Sequence, residues 1–229
     1  PLSRPRTGSG PARFPAPGVA AVCRGWASAS LLDSYEAERQ PIARRNTSFA
    51  RAMADSIGRM TLPPELEEDS PAGVAAREAL GKQLYHHTRS EFDIPGIHFG
   101  MFYGTSPVII GDGTPPPEGR WDEYLPHATP GARAPHVWLD DETALFDCFG
   151  QEFTLLCMGS ADPSAAVHVK DRAAARGMPI EVCSIDNAEA RDLYARDFVL
   201  IRPDQHIAWR GNRVPDDLDA WIKTLTGAS

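Results

Sequence analysis

Nothing in this 229-residue chain approaches the roughly 18 consecutive apolar residues that a membrane span needs. Basic residues are also short: 23 Lys and Arg against 31 Asp and Glu leave a formal net charge of -8. That argues against nucleic acid as a partner, because binding phosphates takes a basic face. Cysteine is scarce. Cys23, Cys148, Cys157 and Cys183 stand far apart with no C-x-x-C among them, which excludes the usual zinc ribbon and the usual redox dithiol. No signal peptide is recognisable, since the arginines of PLSRPRTGSGPARFPAPG have no apolar core behind them. A reducing cytoplasm is the expected setting. The first residue is proline where methionine would stand, which reads as the loss of something upstream.

What is present is ordinary globular material, 42% hydrophobic and 24% charged, enough for one large or two small domains. Residues 1–18 are the exception. Pro, Arg, Gly, Ser and Ala dominate them, and such a composition cannot bury enough surface to offset its ordering entropy. We expect a disordered or non-native leader there. From Val19 the texture changes. VAAVCRGW reads as the end of an apolar helix closed by Gly25, and Ser30 is placed to cap a following helix, LLDSYEAERQ. Pro41 predicts a kink or a new first turn. Phe49, Met53 and Ile57 recur every fourth residue, as on an amphipathic helix. Ser70-Pro71 opens another helix, with Val74, Leu80 and Leu84 expected on one side.

IHFGMFYGTSPVIIGDG predicts short extended runs broken by glycine, and TPPPEGRWDEYLPHATPGARAPHVWL a proline-rich segment wrapping over a surface. The final stretch alternates most cleanly: strand FTLLCMG, helix PSAAVHVKDRAAARG, strand IEVCSID, helix NAEARDLYA, strands FVLIRPD and HIAWRG, helix PDDLDAWIKTLTG. That order describes a thioredoxin-like α/β sheet covered by helices.

At LLDSYEAERQPIARRN, preceded by VAAVCRGW, the chain resembles the FAD-dependent aromatic-ring hydroxylases, the single-component flavoprotein monooxygenases that act on phenols, resorcinols and polyketide aromatics. Leu31, Leu32, Tyr35, Glu38, Arg39 and Pro41 occupy the positions of the family's Leu-Leu-x-x-Tyr-x-x-Glu-Arg-x-Pro helix. YGTSPVII, YLPHATPGARAPHVWL, LFDCFGQEFTLL and LYARDFVLIRPDQHIAWRG follow in the family's order. The resemblance implies an organisation in four parts. Residues 1–18 are the leader, 19–95 the closing helices of a flavin domain, 96–138 a wrapping linker and 139–229 a thioredoxin-like domain. It also implies FAD as cofactor, NAD(P)H as reductant and an aromatic small molecule as substrate, with a homo-dimer as one assembly.

The departures bear on the site. The family's Gly-x-Gly-x-x-Gly turn, where glycines let the backbone approach a pyrophosphate, has no counterpart here. The position of its Gly-Asp-Ala-Ala-His segment is taken by PLSRPRTGSGPARFPAPG. We therefore expect the C-terminal portion of such an enzyme, with no catalytic, cofactor-binding or metal residue of its own. Glu36, Glu38 and Arg39 read as an ion pair fixing how their helix docks. His86-His87, with Glu91 and Asp93, reads as a solvated helix end, because adjacent histidines point apart on a helix. His127 and His136 read as packing, and Asp112 of GDGTPPPEG as a tight turn. Where a working thioredoxin carries its dithiol this chain has MGSADPSAA, so Cys157 and Cys183 read as buried and inert and a thiol oxidoreductase is nearly excluded. The reading from another class is a non-catalytic thioredoxin-like interaction or dimerisation module.

Overall fold

The computed structural model describes residues 16–159 and 161–228. The chain divides into two compact units, one of residues 1–38, 103–116 and 126–229, the other of residues 39–102 and 117–125. Most of the leader lies outside the described residues, whereas Ala16, Pro17 and Gly18 already form the start of a helix, α1 (Ala16–Cys23).

The first unit is a mixed α/β structure. Its elements are β1 (Phe153–Met158), α5 (Pro163–Ala175), β2 (Ile180–Ile185), α6 (Ala188–Tyr194), β3 (Phe198–Ile201), β4 (Ile207–Gly211) and α7 (Leu218–Leu225), in the order expected. The sheet runs β2-β1-β3-β4, with β1 parallel to β2 and antiparallel to β3, and β3 antiparallel to β4. β1 is buried at every position because helices or loops cover both faces. Its alternate side chains feed separate clusters: Phe153, Leu155 and Cys157 meet α5 and α7, while Leu156 and Met158 meet Tyr194 of α6, Val137 of the wrapping segment and Leu145 just before the strand. The helices start where the residue chemistry dictates. Asp162, Asn187 and Asp217 each accept a backbone N–H of the first turn, and Pro163 sits where its missing N–H costs nothing.

The segment before Glu38 is fastened to this sheet. Trp26 packs edge-on against Phe153, Arg24 pairs with Glu152, the Ser28 N–H donates to the Thr226 carbonyl at 3.0 Å and the Ser30 hydroxyl donates to the Gly227 carbonyl. Gly227 has φ +67°, and a Cβ there would stand 2.6 Å from the Leu31 nitrogen, so glycine is required twice over. The cap differs from the expectation. Ser28, not Ser30, caps a 3-10 turn (Ala29–Leu32), and α2 (Asp33–Gly58) starts after it.

Pro41 does not start a new helix: α2 runs through it. A proline removes the hydrogen bond to the carbonyl four residues back. That carbonyl, of Ala37, accepts instead from the Thr105 hydroxyl at 3.1 Å. The extended runs expected around YGTSPVII do not form strands; a backbone bond from the Ile110 N–H to the Ala208 carbonyl ties that stretch to the sheet.

The second unit holds the rest of α2, a 3-10 turn (Pro64–Glu67), α3 (Pro71–Phe92) and α4 (Pro95–Phe99). Ser70 caps α3, and Gly73 presses on the Glu68 carbonyl, where a Cβ would come within 2.1 Å. Arg45 donates to the Gly100 and Ile97 carbonyls, both at 2.8 Å, closing the end of α4. Phe49 reaches Trp121 and is half-buried with Met53, while Ile57 is exposed. Of Val74, Leu80 and Leu84 only Leu80 is buried. Six residues place Val74 about 240° round the helix from Leu80, so they cannot share a face. Among the described residues no helix is long and apolar enough to cross a membrane.

Candidate functional site: a buried ion cluster

Glu38, five residues into α2, is 5% exposed, an unusual depth for a carboxylate. Its partner is Arg202, contributed by the turn between β3 and β4. There Pro203 fixes one φ, Gln205 adopts φ +67°, and the Asp204 carboxylate accepts the His206 N–H at 3.2 Å. That geometry turns Arg202 and Asp204 toward each other. The guanidinium donates from Nη1 to Glu38 Oε1 at 2.5 Å and from Nη2 to Glu38 Oε2 at 2.9 Å, a fork-to-fork pair. Nη2 also reaches Asp204 Oδ2 at 2.9 Å. Ser106 donates its hydroxyl to Glu38 Oε1 at 2.6 Å. His206, 1% exposed, stacks on Tyr103 with centroids 4.1 Å apart. Its Nδ1 lies 3.1 Å from the Asp204 carbonyl, which can only accept, so Nδ1 carries the proton there.

The electrostatics follow from this arrangement. Burial alone would raise the Asp204 carboxyl, but the Arg202 charge and the contacts to His206 outweigh it and hold the group well below the usual carboxylate range. Burial likewise works against the Arg202 charge, and Asp204 and Glu38 reverse it, leaving the guanidinium more firmly protonated than usual. Both carboxylates face the one guanidinium, and the arrangement acts as a lock.

A second lock uses Asp112, read in the sequence as a turn residue. It does accept the Thr114 N–H at 3.0 Å, and it also accepts from Arg210 Nε at 2.8 Å, with Arg196 at 3.5 Å. Burial would raise its carboxyl, yet the Thr114 and Arg210 hydrogen bonds bring it below the ordinary value.

The other expected positions separate. Glu36 is exposed, and Arg39 belongs to the helical unit. His87 Nδ1 lies 2.8 Å from the Ser56 hydroxyl with its ring mostly buried, so it packs between helices rather than facing solvent. Glu91 lies 3.8 Å from His87, and Asp93 pairs with Arg89 at 3.2 Å. His136 packs against Trp138 and Phe146. His127 is driven toward its neutral form by burial and then by the Arg210 charge. Among the described residues no three His, Cys, Asp or Glu side chains are arranged to hold a metal. Cys148 and Cys183, distant in sequence, share a hydrogen bond; burial first, then Cys148, pushes the Cys183 thiol up to about 12. The start of α5 carries Asp162 as its cap and no thiol.

A flavin pyrophosphate needs glycines opening onto a hollow. Among the described residues, glycines at close approaches meet the chain's own atoms instead: Gly96 the Arg120 carbonyl, Gly159 the Arg191 side chain, Gly227 the Leu31 backbone. Those three glycines do not offer such a hollow.

The sequence reading missed Arg202, Asp204, His206 and Tyr103. The signal was available: a fork-shaped cation and two carboxylates in strings quoted for the same resemblance, 164 residues apart for Glu38 and Arg202.

The comparisons fall on these two strings. Residues 127–229 match the model of the aromatic-ring hydroxylase C-terminal domain, and residues 16–50 match an FAD binding domain. The FAD-dependent monooxygenase opdD of Penicillium oxalicum is 30% identical over 86% of this chain and 39% of its own length. Phenol 2-monooxygenase of a Pseudomonas species is 30% identical over 91% of this chain and 40% of its own. The rebeccamycin biosynthetic enzyme RebC, solved with reduced flavin, is 38% identical with a TM-score of 0.82, over 93% of this chain and 39% of that one. The chain thus spans about two fifths of the length of these relatives. It belongs to the FAD-dependent aromatic-ring hydroxylases, and what it corresponds to is their C-terminal part.

Proposed function

We propose that the chain is the C-terminal portion of an NAD(P)H-using, FAD-dependent monooxygenase that hydroxylates aromatic rings, and that it holds neither the flavin nor the ring itself. In this reading FAD, bound elsewhere in the enzyme, supplies the oxidising chemistry. This chain's own residues supply a platform: a thioredoxin-like module without its dithiol, to which the segment from α1 to Glu38 is locked. The observation that carries the reading is the Glu38–Arg202 pair, which joins the helix matched by the FAD-binding model to the turn matched by the C-terminal model. The glycines packed against the chain's own atoms support the absence of a flavin pocket.

The test is a flavin titration of the purified chain, following FAD fluorescence and the visible spectrum. No saturable binding up to high micromolar FAD is the expected result. Saturation with a structured flavin spectrum would place a flavin site in this chain and sink the proposal.

A further inference from the structure

Cys148 closes the 3-10 turn (Leu145–Cys148) that leads into β1, and Cys183 lies in β2, an edge strand of the sheet. Three observations bring them together. Cys183 stands opposite Leu156 in the ladder, and Leu156 belongs to the cluster around Tyr194, against which both Cys148 and Cys183 pack. Two residues beyond Cys148, a Cβ on Gly150 would come within 2.5 Å of the Glu181 carboxyl carbon, so this stretch lies against β2. Glu181 and Cys183 share one face of that strand, because side chains alternate along it. The third observation is direct: the two thiols share a hydrogen bond. Cys157, in the neighbouring strand, points to the opposite face and packs with α5 and α7. Both thiols of the pair are free and half-buried, within reach of a small solute, whereas Cys157 is buried. The burial expected from the sequence for Cys157 and Cys183 therefore fits Cys157 alone.

The hydrogen bond has a direction. Burial first, then Cys148, pushes the Cys183 thiol up to about 12, so Cys183 keeps its proton and the Cys148 sulfur accepts it. The accepting sulfur is the nucleophile of the pair. We propose that Cys148 and Cys183 are a modification site, joined in a reversible disulfide by reaction with a hydroperoxide. The Cys148 thiolate attacks one peroxide oxygen, the O–O bond breaks, and the departing hydroxide takes a proton from solvent to leave as water. Cys148 is then a sulfenic acid. The Cys183 sulfur attacks it, the S–O bond breaks, and the second hydroxide leaves as water with the Cys183 proton. Two thiols lose two electrons and two protons, and one hydrogen peroxide becomes two waters. The place is not that of a thioredoxin dithiol, which would stand at the start of α5, where this chain has Asp162. The bond staples the turn before β1 to the edge strand, closing a loop that contains β1 and α5.

The test treats the reduced 229-residue chain with a stoichiometric amount of hydrogen peroxide, blocks remaining thiols with iodoacetamide and maps the peptides by mass spectrometry without reductant. The expected product is a peptide pair joined through Cys148 and Cys183 within one chain, two hydrogens lighter than its parts. Its formation should raise the thermal midpoint by about 4 °C or more, and dithiothreitol should reverse both changes. The link should survive Cys157→Ser. In Cys183→Ser the sulfenic acid on Cys148 has no thiol to meet, so dimedone should label residue 148; in Cys148→Ser it should not label Cys183. Cys148 and Cys183 both carrying iodoacetamide after peroxide overturns the proposal, as does a link through Cys23 or Cys157 or between two chains. Over-oxidation of Cys148 with no disulfide overturns it too. Dimedone on Cys183 in place of Cys148 would overturn the assignment of the attacking sulfur. The mapping of the unsubstituted chain decides the disulfide even if a serine variant fails to fold.

Discussion

The α/β unit and the helical unit put their apolar residues to different use. In the first, both faces of β1 are closed and the side chains of Leu155, Leu156, Val199 and Leu200 are fully buried. In the second, Ile42 and Leu80 are the buried large apolar residues, while Ile57, Leu62, Tyr85 and Phe92 stand in the open. Each buried aliphatic side chain contributes about 1.5–3 kcal/mol, against roughly 1–2 kcal/mol for ordering each residue's backbone. A sheet lets distant segments share one interior. Two helices joined end to end bury a single seam, and their caps and exposed ion pairs, such as Arg51–Asp55 and Arg89–Asp93, add only tenths of a kcal/mol each. The lesson is that helix length here reports local pattern, and stability reports burial.

The comparison breaks most sharply at the ion lock. Glu38→Gln leaves the Arg202 charge half-answered in a buried place and should cost about 3–5 kcal/mol of unfolding free energy. Glu36→Gln, at an exposed position two residues away, should stay within about 0.5 kcal/mol. Urea midpoints of the two variants decide it, and equal effects would mean the lock carries no weight. Next in size, Leu155→Ala in the central strand should cost about 2–5 kcal/mol, while Phe92→Ala at the exposed end of α3 should barely move the same midpoint. If Phe92→Ala proved the costlier, the helical unit would have an interior that its exposed side chains hide.

Acid should act through the lock as well. Asp204 is held below its unfolded value near 3.9, so its contribution is fully present above that value and is lost as pH falls through the folded one. Urea midpoints taken from pH 6 down to 3 should fall more steeply for the parent than for Asp204→Asn; parallel slopes would discharge Asp204 from that role. The smallest effect expected is at Ser70, whose replacement by alanine removes the cap of α3 at a cost of about 1 kcal/mol. It should appear as faster hydrogen exchange in α3 with β1 unchanged. Faster exchange in both would mean the two units open together.

Much of this was legible beforehand, for identifiable reasons. FTLLCMG reads as a buried strand because a continuous apolar run needs cover on both sides, and it has it. Pro163 and Ser70-Pro71 mark helix starts because capping is local chemistry. That α2 continues through Pro41 is not legible for the complementary reason: the carbonyl the proline leaves open accepts from a hydroxyl 68 residues away. His87 was assigned to solvent because nothing in its neighbourhood announces Ser56, on another helix.

The strands, the caps, the missing dithiol and the family strings were therefore determined by the chain alone, since each depends on residues within one or two turns of one another. Which carboxylate is buried in a lock and which stands at the surface was decided only by the tertiary structure. Glu36 and Glu38 are chemically alike and two positions apart, and the difference between them is a guanidinium delivered by the turn after β3. A buried charge is stable only where the fold brings its partner, and no local pattern encodes that meeting.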